Sequence, residues 1–269
     1  MPKRLLRLLP ILLLSAACGG AAGAQSFVVT TTMLESALED AFDGPRIEHL
    51  IPPGNCPGHF DLKPRMLADI RNCDLFLYHH YQRGVEARIA GMGIEVPKLM
   101  VTEEGSWLIP SNYWQVVEFL REELARANGP LADAGELRRS ARDPRAESAR
   151  DAQFWNSAAA ENGWQGVPVI ASALQAEFCE WLGFKVVARL PRSEELTPAV
   201  LQEMLASGAR MIVANRQSDA QSAEMLASRL RLPLAVLNNF PARKADGRSA
   251  FRLLGEDNLS ALEQAWRKR

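Results

Sequence analysis

Short apolar runs alternate with helix-period segments twice along the chain, on either side of a polar middle. In the first half, residues 27–32, 46–51, 73–78 and 98–101 are short and apolar enough to be strands. Continuous runs of this kind fit strands covered on both faces of a parallel sheet. Helical patterns fall between them at 34–42, 64–72 and 84–92. A fourth, at 112–127, carries Tyr113, Val116, Val117, Leu120 and Leu124 on one stripe. The second half repeats the alternation, with strands predicted at 167–172, 184–190, 211–215 and 234–238 and helices at 174–182, 198–206, 220–230 and 258–268. The reading is an α/β fold of two (β/α) lobes with four-stranded parallel sheets, joined by a long connecting helix. Ligands of open parallel sheets bind beyond the carboxyl ends of the strands, so two facing lobes enclose a cleft lined by those loops.

The middle, 130–162, is rich in Ala, Arg, Glu and Asp, with no strand-like run. Asp143-Pro144 fits a helix start, with Asp as the cap and Pro at the first helical position, or else a kink. The expected division is an N-terminal lobe over 25–128, a connecting helix over 129–165 and a C-terminal lobe over 166–269. Residues 1–24 stand apart. Lys3, Arg4 and Arg7 precede an apolar stretch of about ten residues that ends in Ala22-Gly23-Ala24, the pattern of an export signal. The stretch falls short of the roughly 20 apolar residues of a membrane span. Ser15-Ala16-Ala17-Cys18 offers a rival reading as a lipobox, with a lipid anchor at Cys18. Beyond the signal, 28 basic residues face 32 acidic ones, a net charge of −4 that carries no nucleic-acid footprint. Export places Cys56, Cys73 and Cys179 in an oxidising compartment. There Cys56 and Cys73, at the two ends of one helix, have the choice of a disulfide, or Cys56 serves as a metal thiolate. Cys179 reads as a free buried thiol.

The predicted cleft loops hold the candidate chemistry. After the second strand, Pro52 to Phe60 reads PPGNCPGHF, a loop stiffened by prolines and turned by glycines that presents Cys56 and His59. Neutral imidazole is the commonest protein metal ligand. His79 and His80 follow the third strand and, being adjacent in extended backbone, point to opposite faces, so at most one of them faces the cleft; the alternative is a pair packed among Tyr78 and Tyr81. His49 lies inside a strand and reads as structural. Glu103, Glu104, Glu177 and Asp61 offer acid–base groups, and Ser172 or Ser218 a hydroxyl. None sits in a nucleophile elbow, and there is no H-E-x-x-H, P-loop or G-x-G-x-x-G pattern. The chain is therefore read as a binding protein, not an enzyme.

Several segments in order resemble the zinc/manganese solute-binding proteins of bacterial ABC transporters. Val28-Val29-Thr30-Thr31-Thr32 resembles that family's first strand. Ile51-Pro52-Pro53-Gly54 with Gly58-His59-Phe60 and Pro64 resembles its G-x-D-P-H-x-Y-x-P loop. Asn72-Cys73-Asp74-Leu75-Phe76-Leu77-Tyr78 resembles the strand that follows, and Trp107-Leu108-Ile109-Pro110-Ser111-Asn112 its H-x-W-L-D-P-x-N segment. The resemblance implies a cleft that takes Zn²⁺ or Mn²⁺ as transported ligand through three histidines and a carboxylate. It also implies a periplasmic location, an ABC permease in the inner membrane as partner, and a monomer.

The carry-over succeeds at His59 alone. Gly105-Ser106 stands where the second histidine is expected, Ala173-Leu174-Gln175 where the third is, and Asn238-Asn239 replaces the last carboxylate. Asn215-Arg216-Gln217 likewise stands at the position of an acid. A rebuilt site would draw on His59, one of His79 and His80, and Glu177, with Gln175 or Gln217 in support and Cys56 if unbridged. The alternative is a metal chelate or small polar solute bound among Arg216, Gln217 and Trp107. A periplasmic enzyme on the same two lobes is the third reading.

Overall fold

The computed structural model describes residues 25–58, 60–102, 104–126, 137–190, 197–242 and 247–268. The first lobe is built on β1 (Ser26–Thr31), β3 (Arg46–Ile51), β4 (Leu75–His79) and β5 (Lys98–Val101), all parallel in the order β3-β1-β4-β5. The second uses β7 (Pro168–Ala171), β8 (Lys185–Arg189), β9 (Met211–Asn215) and β10 (Leu234–Leu237), in the order β10-β9-β7-β8. Both sheets are wound alike: the first strand lies inside, the second on one flank, the third and fourth on the other. Each therefore has a topological switch point between its first and third strands, where ligands of such sheets bind. Those points lie at the ends of β1 and β4 and of β7 and β9.

The sequence explains these central strands. Every residue of β4 and β9 is buried, and so are all but the first of β1, as apolar runs between two helix layers require. The edge strand β3 alternates instead, with Arg46 and Glu48 exposed and Leu50 and Ile51 inside. Thr31 ends β1 and caps α1 (Thr32–Ala41), its hydroxyl accepting from the Leu34 N–H at 3.4 Å. Helices α2 (Pro64–Arg71), α3 (Arg83–Gly91) and α4 (Pro110–Arg126) complete the first lobe. Helices α6 (Ala176–Trp181), α7 (Pro198–Ala206) and α8 (Ala220–Leu230) lie in the second.

The middle of the chain departs from expectation. Arg138–Arg139 forms a short strand, β6, antiparallel to β2 (Phe42–Asp43), and the connecting helix α5 runs only over Pro144–Glu161. Asp143-Pro144 is its start and not a kink: the Asp143 carboxylate accepts from the Arg145 N–H at 3.1 Å. Residues 127–136 lie outside the described residues. The last helix, α9 (Ala250–Arg267), begins eight residues before the predicted 258. Its extra turns hold Ala250, Phe251, Leu253 and Leu254, which are buried at the junction of the lobes.

That junction is polar as well as aromatic. Arg252 of α9 donates to Asp151 at 2.6 Å and to Glu147 at 2.5 Å, both on α5. Asp40 of α1 accepts from Tyr113 of α4 at 2.6 Å and from Ser249 at 2.5 Å, and pairs with Arg142 at 3.2 Å. Arg121 donates to the carbonyls of Asp40, Ala41, Ser140 and Arg142, tying α4 to the segment that enters α5. Phe251 stacks on Tyr113 with ring centres 3.8 Å apart.

The three cysteines among the described residues are free. Cys73 is buried and donates to the Ile70 carbonyl at 3.1 Å, with burial pushing its thiol up to about 11; Cys56 is half-buried and Cys179 buried. The Cys56–Cys73 bridge open to the sequence is thus not formed, because Cys73 turns into the core under α2.

Gly255 of α9 lies flat against Trp155 of α5. A Cβ there would stand 1.9 Å from the Trp155 Cζ2 atom. Helix propensity favours Gly255→Ala by about 1 kcal/mol, whereas overpacking costs about 1–3 kcal/mol and more where the neighbour cannot move. Trp155 is 1 % exposed, so packing wins. Urea denaturation of Gly255→Ala is expected to show a loss of about 2 kcal/mol, with an unchanged slope.

Candidate functional site

At the first switch point, Thr31 and His79 meet at the ends of β1 and β4, the threonine hydroxyl 2.8 Å from the His79 Nε2. The His79 N–H donates to the Gln82 Oε1 at 3.2 Å, and the Thr30 hydroxyl to the same oxygen at 2.5 Å. The imidazole stacks on Tyr81 at 4.9 Å and leans on Trp107 at 5.1 Å. Burial, with His80 adding a smaller push, lowers the His79 pKa to about 3, so the ring is neutral at every physiological pH. The next residue begins a 3₁₀ turn, and His80 sits half-buried with its edge to Tyr81. Its Nδ1 is buried without a hydrogen-bond partner. Both imidazoles thus pack on Tyr81, His79 face to face and His80 edge-on. Cys56 lies by Tyr81, a residue 48 % exposed whose hydroxyl pKa is raised by local desolvation and then by that thiol. His59 and Glu103 lie outside the described residues.

The second switch point is a mesh of amides. Ser172 donates to Asp219 at 2.5 Å, and the other Asp219 oxygen accepts from the Asn215 N–H at 2.7 Å. Gln175, fully buried, donates to the Asn239 Oδ1 at 2.6 Å. The Asn239 N–H in turn donates to Gln217 Oε1 at 3.3 Å. The Gln217 Nε2 reaches Asn238 Oδ1 at 3.5 Å and, across the cleft, the Pro53 carbonyl at 2.7 Å. Two buried amide atoms in this mesh have no hydrogen-bond partner: the Gln175 Oε1 and the Asn215 Nδ2.

A second contact crosses the cleft. The Ser106 N–H donates to the Glu177 Oε2 at 2.7 Å. The loop admits the carboxylate because residue 105 is glycine: its φ is +79°, and a Cβ there would lie 2.6 Å from the Glu177 Oε1. Glu177 thus spends one oxygen on the opposite lobe.

The structure brings Gln175 and Gln217 together through Asn239, and Cys56 toward Tyr81. Glu177 stands apart at Ser106. Among the described residues, no three His, Cys, Asp or Glu side chains form a group able to hold a metal ion. Asp219 and Asn239 were missed by sequence reasoning as organisers of this wall. The signal for Asp219 was its place just before the helical run of α8 and just after β9, a cap position at a switch point.

The sequence profile of the family described as "Zinc-uptake complex component A periplasmic" matches residues 27–265. The chain belongs to that family. Solved structures agree in fold. A zinc-bound ZnuA deletion mutant is 16% identical, with a TM-score of 0.65 over 90% of this chain and 96% of its own. The laminin-binding protein Lmb of Streptococcus agalactiae, described as an adhesin with metal-transporting activity, is 15% identical with a TM-score of 0.66, covering 90% and 100%. A manganese-bound periplasmic metal-binding protein mutant from candidatus liberibacter asiaticus is 16% identical with a TM-score of 0.65, covering 89% and 98%. Among curated proteins no significant match is found. The zinc-uptake component family is one of solute-binding proteins, and the two wound lobes with their shared cleft are its fold. Among the described residues no helix is long and apolar enough to cross a membrane.

Two outcomes check this geometry. Gly105→Ala forces a left-handed residue to carry a Cβ, costing about 1–2 kcal/mol, and expels the Glu177 carboxylate. Amide exchange at Ser106 should speed up in Gly105→Ala and also in Glu177→Ala, where the backbone is unstrained. For His79, the folded pKa of about 3 lies below the unfolded value of about 6.5. The unfolded state then binds the extra proton, so stability is full above pH 6.5 and falls as pH drops toward 3, by up to about 1.4 kcal/mol per unit. Denaturation of wild type and His79→Gln across that window should show the wild-type advantage shrinking with acid.

Proposed function

We propose that this protein is an extracytoplasmic receptor that captures a divalent metal ion, zinc or manganese, in the cleft and delivers it to an ABC permease in the inner membrane. The observation that carries the reading is the family match over 27–265, which spans both lobes and every cleft loop. The relatives described above as zinc-bound, manganese-bound or metal-transporting share this architecture. The proposed ligand set starts from His59, the one histidine that falls on the family's loop pattern, with Gln175 from the opposite wall and Cys56 or His80 beside it. His79 supports that set by packing, since its Nε2 is taken by Thr31. Glu177 and Gln217 hold the lobes together around the ion. The proposed working form is a monomer in the periplasm, exported by residues 1–24 or tethered through Cys18.

A second reading, a metal chelate or small polar solute as cargo, is favoured by one observation: the C-terminal wall presents amides where a metal shell would present charge. Calorimetric titration of chelator-stripped protein separates the two. The bare-ion reading expects 1:1 binding of Zn²⁺ or Mn²⁺ tighter than about 1 µM, weakened roughly 10–100-fold or more by His59→Ala. No heat with either ion, in wild type or variant, would end it.

A further inference from the structure

A small cavity of ≈ 70 Å³ lies between the lobes, walled by α1, the end of β3 and the segment that joins β10 to α9. Neither Cys56, His80 nor Gln175 lines it. Its α1 wall breaks the usual pattern. Thr32, Glu35, Ser36 and Glu39 are spaced i, i+3, i+4 and i+7, so they form one stripe of the helix. A buried stripe of that spacing is ordinarily apolar. Here all four residues are polar, and the first three are at most 7 % exposed. Ser36 is spent within the protein, on the Phe251 N–H at 3.1 Å and the Tyr113 hydroxyl at 2.9 Å. Thr32 is not. Its hydroxyl is buried without a hydrogen-bond partner among the described residues, which costs free energy until something supplies one.

The charge of the cavity is one-sided. Glu35 and Glu39 bring two carboxylates and His49 one imidazole, whose Nδ1 the Glu35 Oε2 holds at 2.7 Å. No lysine or arginine lines the cavity, so its wall stays negative whether or not the ring is protonated. A metal ion does not answer that charge, because among the described residues no three His, Cys, Asp or Glu side chains are grouped to hold one. Pro53, Pro241 and Ala242 make the remaining rim apolar. A cavity of about 150 Å³ takes benzene, so one of ≈ 70 Å³ suits a group of about three heavy atoms. We propose that this cavity binds the ammonium head of a small aliphatic amine. The Glu35 carboxylate and the Thr32 hydroxyl accept its N–H groups, Glu39 adds charge at the exposed side, and the two prolines and Ala242 receive its alkyl stem. The site is separate from the metal cargo, and both lobes contribute to it.

The test is an NMR titration of isotope-labelled protein with ethylammonium chloride at fixed ionic strength, read at the Thr32, Ser36 and His49 amides, with circular dichroism confirming that each variant is folded. Wild type is expected to saturate with a Kd no tighter than about 1 mM, the ceiling for roughly three heavy atoms. Glu35→Gln removes the charge and keeps the shape, and a loss of roughly tenfold or more is expected. Thr32→Val removes the hydroxyl alone, and is expected to weaken binding about two- to tenfold. Tetramethylammonium, which carries the charge without an N–H, is expected to leave these amides unmoved. Should Glu35→Gln lose its fold along with its His49 contact, Thr32→Val and tetramethylammonium decide the matter. The inference falls if wild type shows no saturable shift up to about 100 mM ethylammonium, if tetramethylammonium binds as well, or if the folded variants bind like wild type. The readout uses no metal, so its failure leaves the metal-receptor reading standing.

Discussion

The placement of the two lobes depends on Arg252. It leaves the last helix and enters α5, where Asp151 and Glu147 receive it within 2.6 Å. Asp151 is 1 % exposed and also accepts from the Trp114 indole at 2.9 Å, so α4, α5 and α9 meet at one carboxylate. Breaking a buried pair by removing one partner leaves the other charge stranded, a loss of about 3–5 kcal/mol. The Asp40 cluster repeats the device one layer away, with Tyr113, Ser249 and Arg142 around a carboxylate that burial pushes toward its neutral form. Since α9 belongs to the C-terminal end of the chain and α1 to its beginning, these clusters join the two ends of the sequence. Long-range charge pairing, more than the connecting helix alone, sets the geometry of the cleft.

With the junction fixed, the loops at the strand ends decide what the cleft does. One wall is an aromatic cradle around a neutral histidine, and the other a chain of amides. The second wall also holds two carboxylates, Asp219 bonded to Ser172, Ser218 and the Asn215 N–H, and Glu177 bonded to the Ser106 N–H. His79 cannot repel a cation, because burial keeps it unprotonated. The amides cannot attract one from a distance, because they carry no net charge.

Much of the architecture was legible in the sequence, because buried parallel strands write themselves as short apolar runs. Strands at 46–51, 98–101 and 211–215 and helices at 198–206 and 220–230 coincide with their predicted limits. The start of α9 was not legible. Ala250 to Gly255 reads as a loop until Trp155 is there to pack against Gly255, a contact between residues a hundred apart in sequence. The β2–β6 pair was hidden for the same reason: two-residue strands carry no period, and partners 95 and 97 positions away supply the pairing. In the site, the histidines and Gln175 could be named from their loops. What could not be read was how they spend their atoms. Nothing local announces that the His79 Nε2 goes to Thr31, or that Glu177 reaches over Gly105 to the other lobe.

The two cross-cleft bonds are weak beside the junction. An ordinary hydrogen bond contributes about 0.5–1.5 kcal/mol net, and one to a charged acceptor about 1.5–3 kcal/mol. Gln217 to Pro53 is of the first kind and Ser106 to Glu177 of the second, and water replaces both when the loops part. The clusters around Arg252 and Asp40 are buried, and water does not replace them without unfolding the junction. Of the contacts between the lobes, the two that cross the cleft are thus the weak ones and the buried clusters the strong ones. That division suits a receptor: the rigid part fixes where the donor atoms stand, and the part that opens costs little enough for the cargo to leave.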